Sequence, residues 1–273
     1  MDKTSLGDRM KSYEGLEAGR RFMKLLPIVC RIDGRNFSKF TRNLNRPFDE
    51  RFQKCMIGTT KWLVEETGAQ MGYTQSDEIS LVWYSSNAEE QVFFDGRIQK
   101  MTSVLAAMAT AKFSSLLVEE LPEKVKSLPV FDCRVWVVPS LSEAANVFIW
   151  RELDAIKNSI AMLAQSVFSH NQLHGKHGGE MLEMLTKKGV EWDACLLHSR
   201  RGTYWQRTRR EISFSPEEID KLPINHEARK TPDLKILRGL IRELGEEMFS
   251  LRFVENREGV VFRGEDPILK EID

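Results

Sequence analysis

The sequence has little that would place the protein in a membrane or outside the cell. Only four of its 273 residues are cysteines, and they lie far apart with no Cys-x-x-Cys pair. This spacing predicts reduced core thiols and no disulfide framework. No apolar stretch approaches the length of a membrane span, and the N-terminus lacks the basic-then-apolar layout of a signal peptide. We therefore expect a cytoplasmic protein that has no membrane partner.

Net charge is also lacking, because 40 lysines and arginines balance 40 aspartates and glutamates. Any contact with nucleic acid must therefore come from a local patch and not from global attraction. No Gly-x-x-x-x-Gly-Lys segment occurs, which excludes a Walker-type nucleotide loop. What the chain does have is 41% hydrophobic residues, enough to bury a sizeable core.

Apolar spacing and turn residues predict an α+β chain. Helices are predicted at 6–19, 49–66, 94–120, 142–168, 180–188 and 234–250, and strands at 26–33, on both sides of 76–78, at 129–138 and at 260–263. This order favours an antiparallel or mixed sheet with helices mainly on one face. Residues 1–140 would carry the sheet, and residues 141–273 would form a C-terminal helical and basic extension packed on it, unless the two make one compact domain.

Two short acidic turns end strand-like runs, Arg-Ile-Asp-Gly-Arg at 31–35 and Ser-Asp-Glu at 76–78. Carboxylates at neighbouring strand ends can converge on a pair of Mg²⁺ ions, which serve the attacking and leaving oxygens of a phosphoryl transfer. Asp33 and Asp77 are the candidate ligands, and Gly34 lets its own carbonyl approach the ion. The alternative is that Asp33 caps a helix and Asp77 lies in an ordinary hairpin turn.

Glu78 is a third candidate for the same site. On a strand its side chain points away from that of Asp77, so it either binds the metal or supports the residues that do. Two carboxylates also serve glycoside hydrolysis, but no aromatic platform for a sugar is visible near these turns.

Basic residues near the acidic turns are candidates to hold phosphate. They are Arg35, Lys39, Arg42 and Arg46 after the first turn, and Arg97 and Lys100 at the start of the long helix predicted at 94–120. A His- and Gly-rich loop at 170–179 offers either phosphate contact through Lys176 or a zinc site built from its three histidines.

The strongest charge cluster is the segment 199–210, which combines arginines with Tyr204 and Trp205. Guanidinium groups suit phosphate, and aromatic rings can stack on a base. The alternative is a solvated edge strand. The RNA-binding candidates are Lys176, Arg200, Arg201, Arg207, Arg209 and Arg210.

Three motifs, at 31–37, 72–80 and 148–155, resemble in order the tRNA-His guanylyltransferase family. The resemblance implies 3′-to-5′ addition of nucleotides, a fold similar to the palm of DNA polymerases and nucleotidyl cyclases, and a homotetramer. The implied partners are tRNA and nucleoside triphosphates. The reaction it implies has two steps: the RNA 5′-monophosphate attacks ATP or GTP, and the 3′-hydroxyl of the incoming nucleotide then attacks the activated 5′ end.

The resemblance also assigns residues. Asp33, the Gly34 carbonyl and Asp77 would hold two Mg²⁺ ions, and backbone amides would lie near the triphosphate. The side chains of Arg46 and Lys100 would contact its phosphates. The implied nucleotide site comprises Asp33, Gly34, Arg35, Asn36, Phe37, Ser38, Arg46, Ser76, Asp77 and Lys100.

One motif departs from the family. After Trp150 and Arg151, eukaryotic members carry a His-Ile-Asn-Asn-Leu-Tyr-Asn signature, of which only Asn158 is in place here. The sequence therefore resembles the bacterial and archaeal branch that repairs 5′-truncated tRNAs by templated addition. The alternative within the family is addition of G at position −1 of tRNA-His. A nucleotidyl cyclase would have no use for the arginine cluster, and a non-catalytic RNA-binding protein would not need Asp33 and Asp77.

Overall fold

One antiparallel sheet organises the chain. The computed structural model describes residues 5–231, 233–244 and 249–270, and in them it has six strands: β1 (Ile28–Gly34), β2 (Met71–Gln75), β3 (Glu78–Trp83), β4 (Phe131–Val137), β5 (Thr203–Ser213) and β6 (Lys235–Leu244). Their order across the sheet is β4-β1-β3-β2-β5-β6, and all neighbours are antiparallel. The fold is therefore α+β, as predicted.

Ten α-helices flank the sheet in the described residues. They are α1 (Ser5–Ala18), α2 (Phe37–Phe40), α3 (Glu50–Thr67), α4 (Ile98–Glu120), α5 (Leu141–Val167), α6 (His170–Leu173), α7 (Gly178–Lys187), α8 (Leu197–Arg201), α9 (Pro216–Lys221) and α10 (Glu227–Lys230). Side chains set where the long ones begin: the Asp49 carboxylate accepts from the amides of Arg51 and Phe52, and the Ser140 hydroxyl accepts from the amide of Glu143.

The first face of the sheet is covered by α3 and α4. Its core contains Ile28, Cys30 and Ile32 of β1, which alternate with residues of the other face as a strand requires. At the end of β1 the rings of Phe37 and Phe113 pack with centroids 5.6 Å apart. This aromatic contact fixes the chain immediately after the first acidic turn.

The second face is covered by α5 and the C-terminal segment. Val29 of β1, Tyr73 of β2 and Tyr204 of β5 pack there against Phe148 of α5. Because α5 runs towards the end of the sheet that carries Gly34, its middle turns lie beside both acidic turns. The helices α3 and α4 thus share one face, while α5, the longest helix of the described residues, positions side chains on the other.

Helix α4 differs from one expectation. It is long and apolar enough to cross a membrane by length and composition alone, although no such stretch was expected. Its buried residues recur at every fourth position, Met101, Leu105, Ala109, Phe113 and Leu117, and pack in the core of the first face. A core helix has this pattern.

Two predictions for the C-terminal region were wrong. The helix predicted at 234–250 is replaced by β6, with 245–248 outside the described residues, and 260–263 lie in a π-helical turn, Gly259–Arg263, instead of a strand. β5 and β6 extend the sheet that β1 to β4 begin. The region 141–273 is therefore not only a helical extension, because it contributes two strands to the common sheet.

Candidate active site

Asp33 and Asp77 meet at one end of the sheet. Asp33 is opposite Glu78 in the pairing of β1 with β3, and the Gly34 amide donates to the Asp77 carbonyl at 3.1 Å. Burial and the neighbouring charge of Asp33 together raise the pKa of Asp77. The two carboxylates are thus close enough to repel each other, and a cation between them would relieve that repulsion. The predicted convergence of the acidic turns is present.

The backbone conformation at both turns allows Asp33 and Asp77 to lie close together. A Cβ at Gly34 would lie 2.4 Å from the ring of Phe37, so only glycine lets the ring pack there. Ser76 adopts a left-handed conformation, φ 49°, and its hydroxyl donates to Asp77 Oδ1 at 3.2 Å. Phe37 was predicted at the nucleotide site, but its side chain is buried in the core, so only its backbone can contribute.

Glu78 is held by an arginine of α5, and its role in catalysis stays a prediction. Its two carboxylate oxygens accept from Arg151 of α5, from Nε at 2.6 Å and from Nη2 at 2.9 Å. Both side chains are buried. Burial raises the pKa of Glu78, and the hydrogen bonds from Arg151 oppose that shift. The carboxylate is therefore engaged by Arg151, and this contact attaches the turn end of the β2–β3 hairpin, which presents Asp77, to α5.

The next residue of α5, Glu152, points into a second buried network. Its Oε2 accepts from the Tyr204 hydroxyl at 3.0 Å and from the Ser250 hydroxyl at 2.7 Å, and Arg201 lies 3.3 Å from Oε1. Burial raises the pKa of Glu152, and these partners lower it. Adjacent residues of α5 thus tie the acidic hairpin and the C-terminal region to one helix.

A cavity of about 450 Å³ opens beside the acidic pair. Its walls come from the loop between α2 and α3, the end of β2, the second half of α5, and α8. Among its lining residues are Ser38, Arg42, Arg46, Gln53, Ser76 and Asn158. At one wall His198 Nε2 and Gln53 Oε1 are 2.5 Å apart, and Gln53 Nε2 donates to the Ser199 hydroxyl at 2.8 Å. The lining mixes these polar groups with apolar side chains such as Phe48, Ile57 and Met162.

The mouth of this cavity is cationic. Arg42 and Arg46 line it, while Arg35 follows β1 and Lys39 lies in α2, both exposed. None of these four side chains has an ion-pair partner in the part of the chain that the structure describes. Charges without acidic partners are available to phosphate groups.

Lys100, predicted on the same phosphates, lies elsewhere. Its Nζ is 4.8 Å from the ring centroid of Phe94, near the start of α4. Phe113, which packs against Phe37 near the acidic pair, is more than three turns further along α4, roughly 20 Å away. Within one chain, Lys100 is therefore not brought to the acidic pair.

Most of the predicted RNA-binding arginines have partners inside the protein. Arg200 pairs with Asp193 at 2.7 Å, Arg201 with Glu152, and Arg210 with Asp266 at 3.3 Å. Arg207 donates to the carbonyls of Val64, Glu65 and Ala69 at the end of α3, at 2.5, 3.0 and 3.1 Å. These arginines are thus engaged within the protein, and their contact with RNA stays a prediction.

The remaining predicted contacts lie on the surface. Lys176 Nζ is 2.8 Å from Glu180 Oε1. The zinc alternative has no support, because the histidines form no metal-binding cluster within residues 5–231, 233–244 and 249–270, although the rings of His170 and His174 are 6.2 Å apart. Asp33 and Asp77 likewise gain no third acidic, His or Cys side chain within these ranges.

Three residues near the acidic pair were missed from the sequence. Arg31 and Arg134 face each other across β1 and β4, on the side of the sheet that carries Asp33. Trp150 of α5 lies over Arg31, with the guanidinium carbon 5.7 Å from its ring centroid. Arg31 and Trp150 belong to the motifs that were recognised, but only the strand register shows that they converge.

An antiparallel sheet that brings two carboxylates to one end, beside a cationic cavity, has the arrangement of a phosphoryl- or nucleotidyl-transferring enzyme. A family model described as tRNA-His guanylyltransferase (Thg1) matches residues 7–139. A bacterial tRNA(His) guanylyltransferase (Thg1)-like protein, solved in complex with ATP, is 39% identical, with a TM-score of 0.70 over 74% of this chain and 88% of that chain.

A structure of a bacterial Thg1-like protein in complex with GTP is 36% identical, with a TM-score of 0.62 over 74% of this chain and 86% of that one. The tRNA(His) guanylyltransferase of Schizosaccharomyces pombe is 27% identical over 215 residues, which is 72% of this chain and 78% of that protein. The chain belongs to the tRNA-His guanylyltransferase (Thg1) family, and it is an enzyme of the nucleotidyltransferase class.

Proposed function

We propose that the chain is a Mg²⁺-dependent 3′-to-5′ nucleotidyltransferase that restores 5′-truncated tRNAs by templated addition. ATP or GTP would activate the 5′-phosphate of the RNA. The observation that carries this proposal is the acidic pair, Asp33 and Asp77, with a cationic cavity on one side and an open sheet face on the other. The relatives solved with ATP and with GTP support a nucleotide as the small substrate.

The donor set at the acidic pair fits magnesium. Asp33, Asp77 and the Gly34 carbonyl offer only oxygen atoms, which Mg²⁺ prefers, and Mg²⁺ completes its shell with water and substrate phosphates. When bound, the metal would lower the pKa of an attacking hydroxyl and offset charge that develops on phosphate.

The protein's own groups would bind and orient the nucleotide. The cavity is large enough for a base and ribose, and the amides of Phe37 and Ser38 at the start of α2 precede the first bond that the helix makes with itself, from the Lys39 amide to the Asn36 carbonyl. Arg42 and Arg46 at the mouth would bind the triphosphate, while Ser76 would fix the hairpin that carries Asp77. No protein nucleophile is required, because the RNA phosphate and the nucleotide hydroxyl supply the attacking oxygens.

Templated repair is favoured over tRNA-His guanylylation by the altered motif on α5. Asn158 lines the cavity. It is the one residue of the eukaryotic signature that this sequence keeps at the matching position. Pairing with the 3′ strand of the RNA can choose each nucleotide, so the protein need not recognise one base.

The defining experiment gives the enzyme a tRNA that lacks its first 5′ nucleotide, together with Mg²⁺ and the four nucleoside triphosphates. We expect the missing nucleotide to be restored, and its identity to follow a changed template base, as read by mapping the 5′ end. Full-length tRNA-His is the matched control. Untemplated addition of G to that control, with truncated tRNAs left untouched, would overturn the repair proposal in favour of guanylylation.

The arginines of β5 allow a second test. Replacing Arg209 and Arg210 with Gln should weaken RNA binding and lower the slope of log affinity against log salt by about one for each phosphate that the variant no longer neutralises. Arg207→Gln should instead lower the free energy of unfolding by about 1–3 kcal/mol, because it strips the carbonyls at the end of α3 of their donor. Filter binding over a salt series and urea unfolding measure the two effects. An unchanged salt slope in the Arg209 and Arg210 variant would refute the RNA contact.

A homotetramer in the cytoplasm also remains part of the proposal. Helix α1 buries none of its residues within the chain, and Leu6, Met10, Tyr13 and Leu16 are all exposed on it. Such a surface supports association between copies of the chain.

A further inference from the structure

An open shelf lies on the second face of the sheet, on the opposite side of the acidic pair from the cavity. Its floor is made by Arg31 and Asp33 of β1 and by their partners in the register of β4, Arg134 and Asp132. The side chains of Arg134 and Asp132 are 57% and 54% exposed, so α5 does not cover this part of the sheet. The shelf is therefore accessible from solvent and adjoins the candidate metal ligands.

Trp150 of α5 forms the wall of this shelf. It is 50% exposed, and no other tryptophan in the described part of the chain is exposed to that degree. An indole left open at the edge of a catalytic centre is unusual, because tryptophan is normally buried to a large extent. Its position therefore points to a ligand that covers it.

Two arginines hold the indole in place. The guanidinium carbon of Arg151 lies 4.4 Å from the ring centroid and that of Arg31 lies 5.7 Å from it. Arg151 is neutralised by Glu78, but the buried Nε of Arg31 has no hydrogen-bond partner within the described residues and is 3.7 Å from Glu78 Oε2. The wall is thus an aromatic face next to arginines whose positive charge is not fully neutralised by neighbouring carboxylates. Such a surface complements a nucleotide, which has a flat base and a negative phosphate.

The distance to the acidic pair suits a nucleotide. Arg31 and Asp33 are two residues apart on one face of β1, about 7 Å. With the contact between Arg31 and Trp150, the indole lies on the order of 10 Å from the carboxylates. A nucleotide whose sugar or phosphate lies at the acidic pair can therefore reach the indole with its base.

We propose that Trp150 stacks on the base that is being added, once this base is paired with the template at the 5′ end of the RNA. The inference rests on the proposed function and deepens it. An enzyme that copies a template must hold any of the four bases, and an aromatic face does so because every base has a π-surface. The cavity beyond the hairpin would then serve the activating nucleotide, and the shelf the incoming one.

The test separates the two steps in the full-length enzyme. Trp150→Ala should leave activation unchanged, measured as pyrophosphate release from ATP with a 5′-monophosphorylated, truncated tRNA. The same variant should raise the KM for the incoming nucleotide about tenfold or more, since stacking on an aromatic residue has that value. Trp150→Phe should retain most of the addition activity. Leu153→Ala is the matched control, because Leu153 is 44% exposed on the same helix and should show no change.

Equal losses in activation and addition, or the same loss in Leu153→Ala, would overturn the proposal, as would an unchanged KM in Trp150→Ala. A second measurement does not depend on catalysis. The triphosphate of 2-aminopurine riboside, supplied as the incoming nucleotide opposite a template uracil of a truncated tRNA, should be quenched by the wild type and brighter with Trp150→Ala. Quenching without any addition would refute templated repair and leave the stacking role standing, whereas addition with identical fluorescence in both proteins would refute the stacking role alone.

Discussion

Replacing Asp33 or Asp77 with alanine is expected to reduce nucleotide addition roughly a thousandfold, with little loss of folding. Each substitution removes one of two carboxylates that would hold Mg²⁺, and charge stabilisation by a metal is worth several kcal/mol of the barrier. About 4 kcal/mol corresponds to a thousandfold change in rate. Both side chains are only partly buried, so their removal leaves no large cavity. Single-turnover addition to a truncated tRNA measures the effect.

Two variants serve as controls for this prediction. Glu217→Ala removes an exposed carboxylate of α9, which follows the end of β5 remote from the acidic turns, and should retain near-normal addition. Glu78→Gln should lose less activity than either aspartate variant, because Glu78 supports the hairpin and its oxygens are engaged by Arg151. Equal loss at Asp33, Asp77 and Glu78 would place Glu78 among the metal ligands, and an active variant lacking both aspartates would end the metal hypothesis.

Arg151→Leu is expected to lower the free energy of unfolding by about 3–5 kcal/mol. The substitution leaves the buried carboxylate of Glu78 without its bidentate partner, and an uncompensated buried charge has a cost of this size. Urea unfolding followed by circular dichroism measures it. A loss below about 1 kcal/mol would show that water or Arg31 compensates Glu78 in the variant.

A double variant tests the reason for that loss. When Glu78→Leu accompanies Arg151→Leu, neither member of the pair is left uncompensated, and part of the lost stability should return, although Arg31 then loses its nearest carboxylate, 3.7 Å away. Addition activity should nevertheless remain low in the double variant, because the hairpin that presents Asp77 is no longer attached to α5. Recovery of both properties would indicate that the ion pair serves stability only.

The sequence predicted the central part of the fold because local signals and packing agree there. β1, the hairpin of β2 and β3, and the helices α3, α4 and α5 all have an apolar period that matches the face they bury. The acidic turns were predicted for the same reason, because each directly follows a strand whose apolar pattern is clear in the sequence.

β6 was missed because its pattern is ambiguous. Ile236, Leu237, Leu240, Ile241 and Leu244 are spaced as on a helix, yet the segment pairs along its whole length with β5. This pairing joins residues that are distant in sequence, and no local propensity reveals it. The long-range contact decided between two structures that the sequence alone left close in energy.

The sequence predicted those parts of the candidate site that a short local motif reveals, and it missed those that depend on contacts between distant residues. Asp33 and Asp77 follow from their turns, but the bond from Arg151 to Glu78 joins residues 73 positions apart. Arg207 was predicted to bind RNA, but in the structure it donates to backbone carbonyls. Every residue has such a carbonyl, so nothing in the sequence indicates this contact. Lys100 was predicted to contact phosphate from the start of an apolar helix, but within one chain it lies far from the acidic pair, because the position of that helix in the fold is not visible in the sequence.

The adjacency of Arg151 and Glu152 limits how α5 can change in evolution. One residue holds the hairpin and the next holds Tyr204 and Ser250, so both attachments depend on one helical phase. A single inserted or deleted residue between Phe148 and Arg151 would turn these side chains by about 100° relative to the preceding helix. Both attachments would then fail together, although neither residue had been substituted. At the positions of this turn that make no such contact, substitution should therefore be tolerated far better than any change in length.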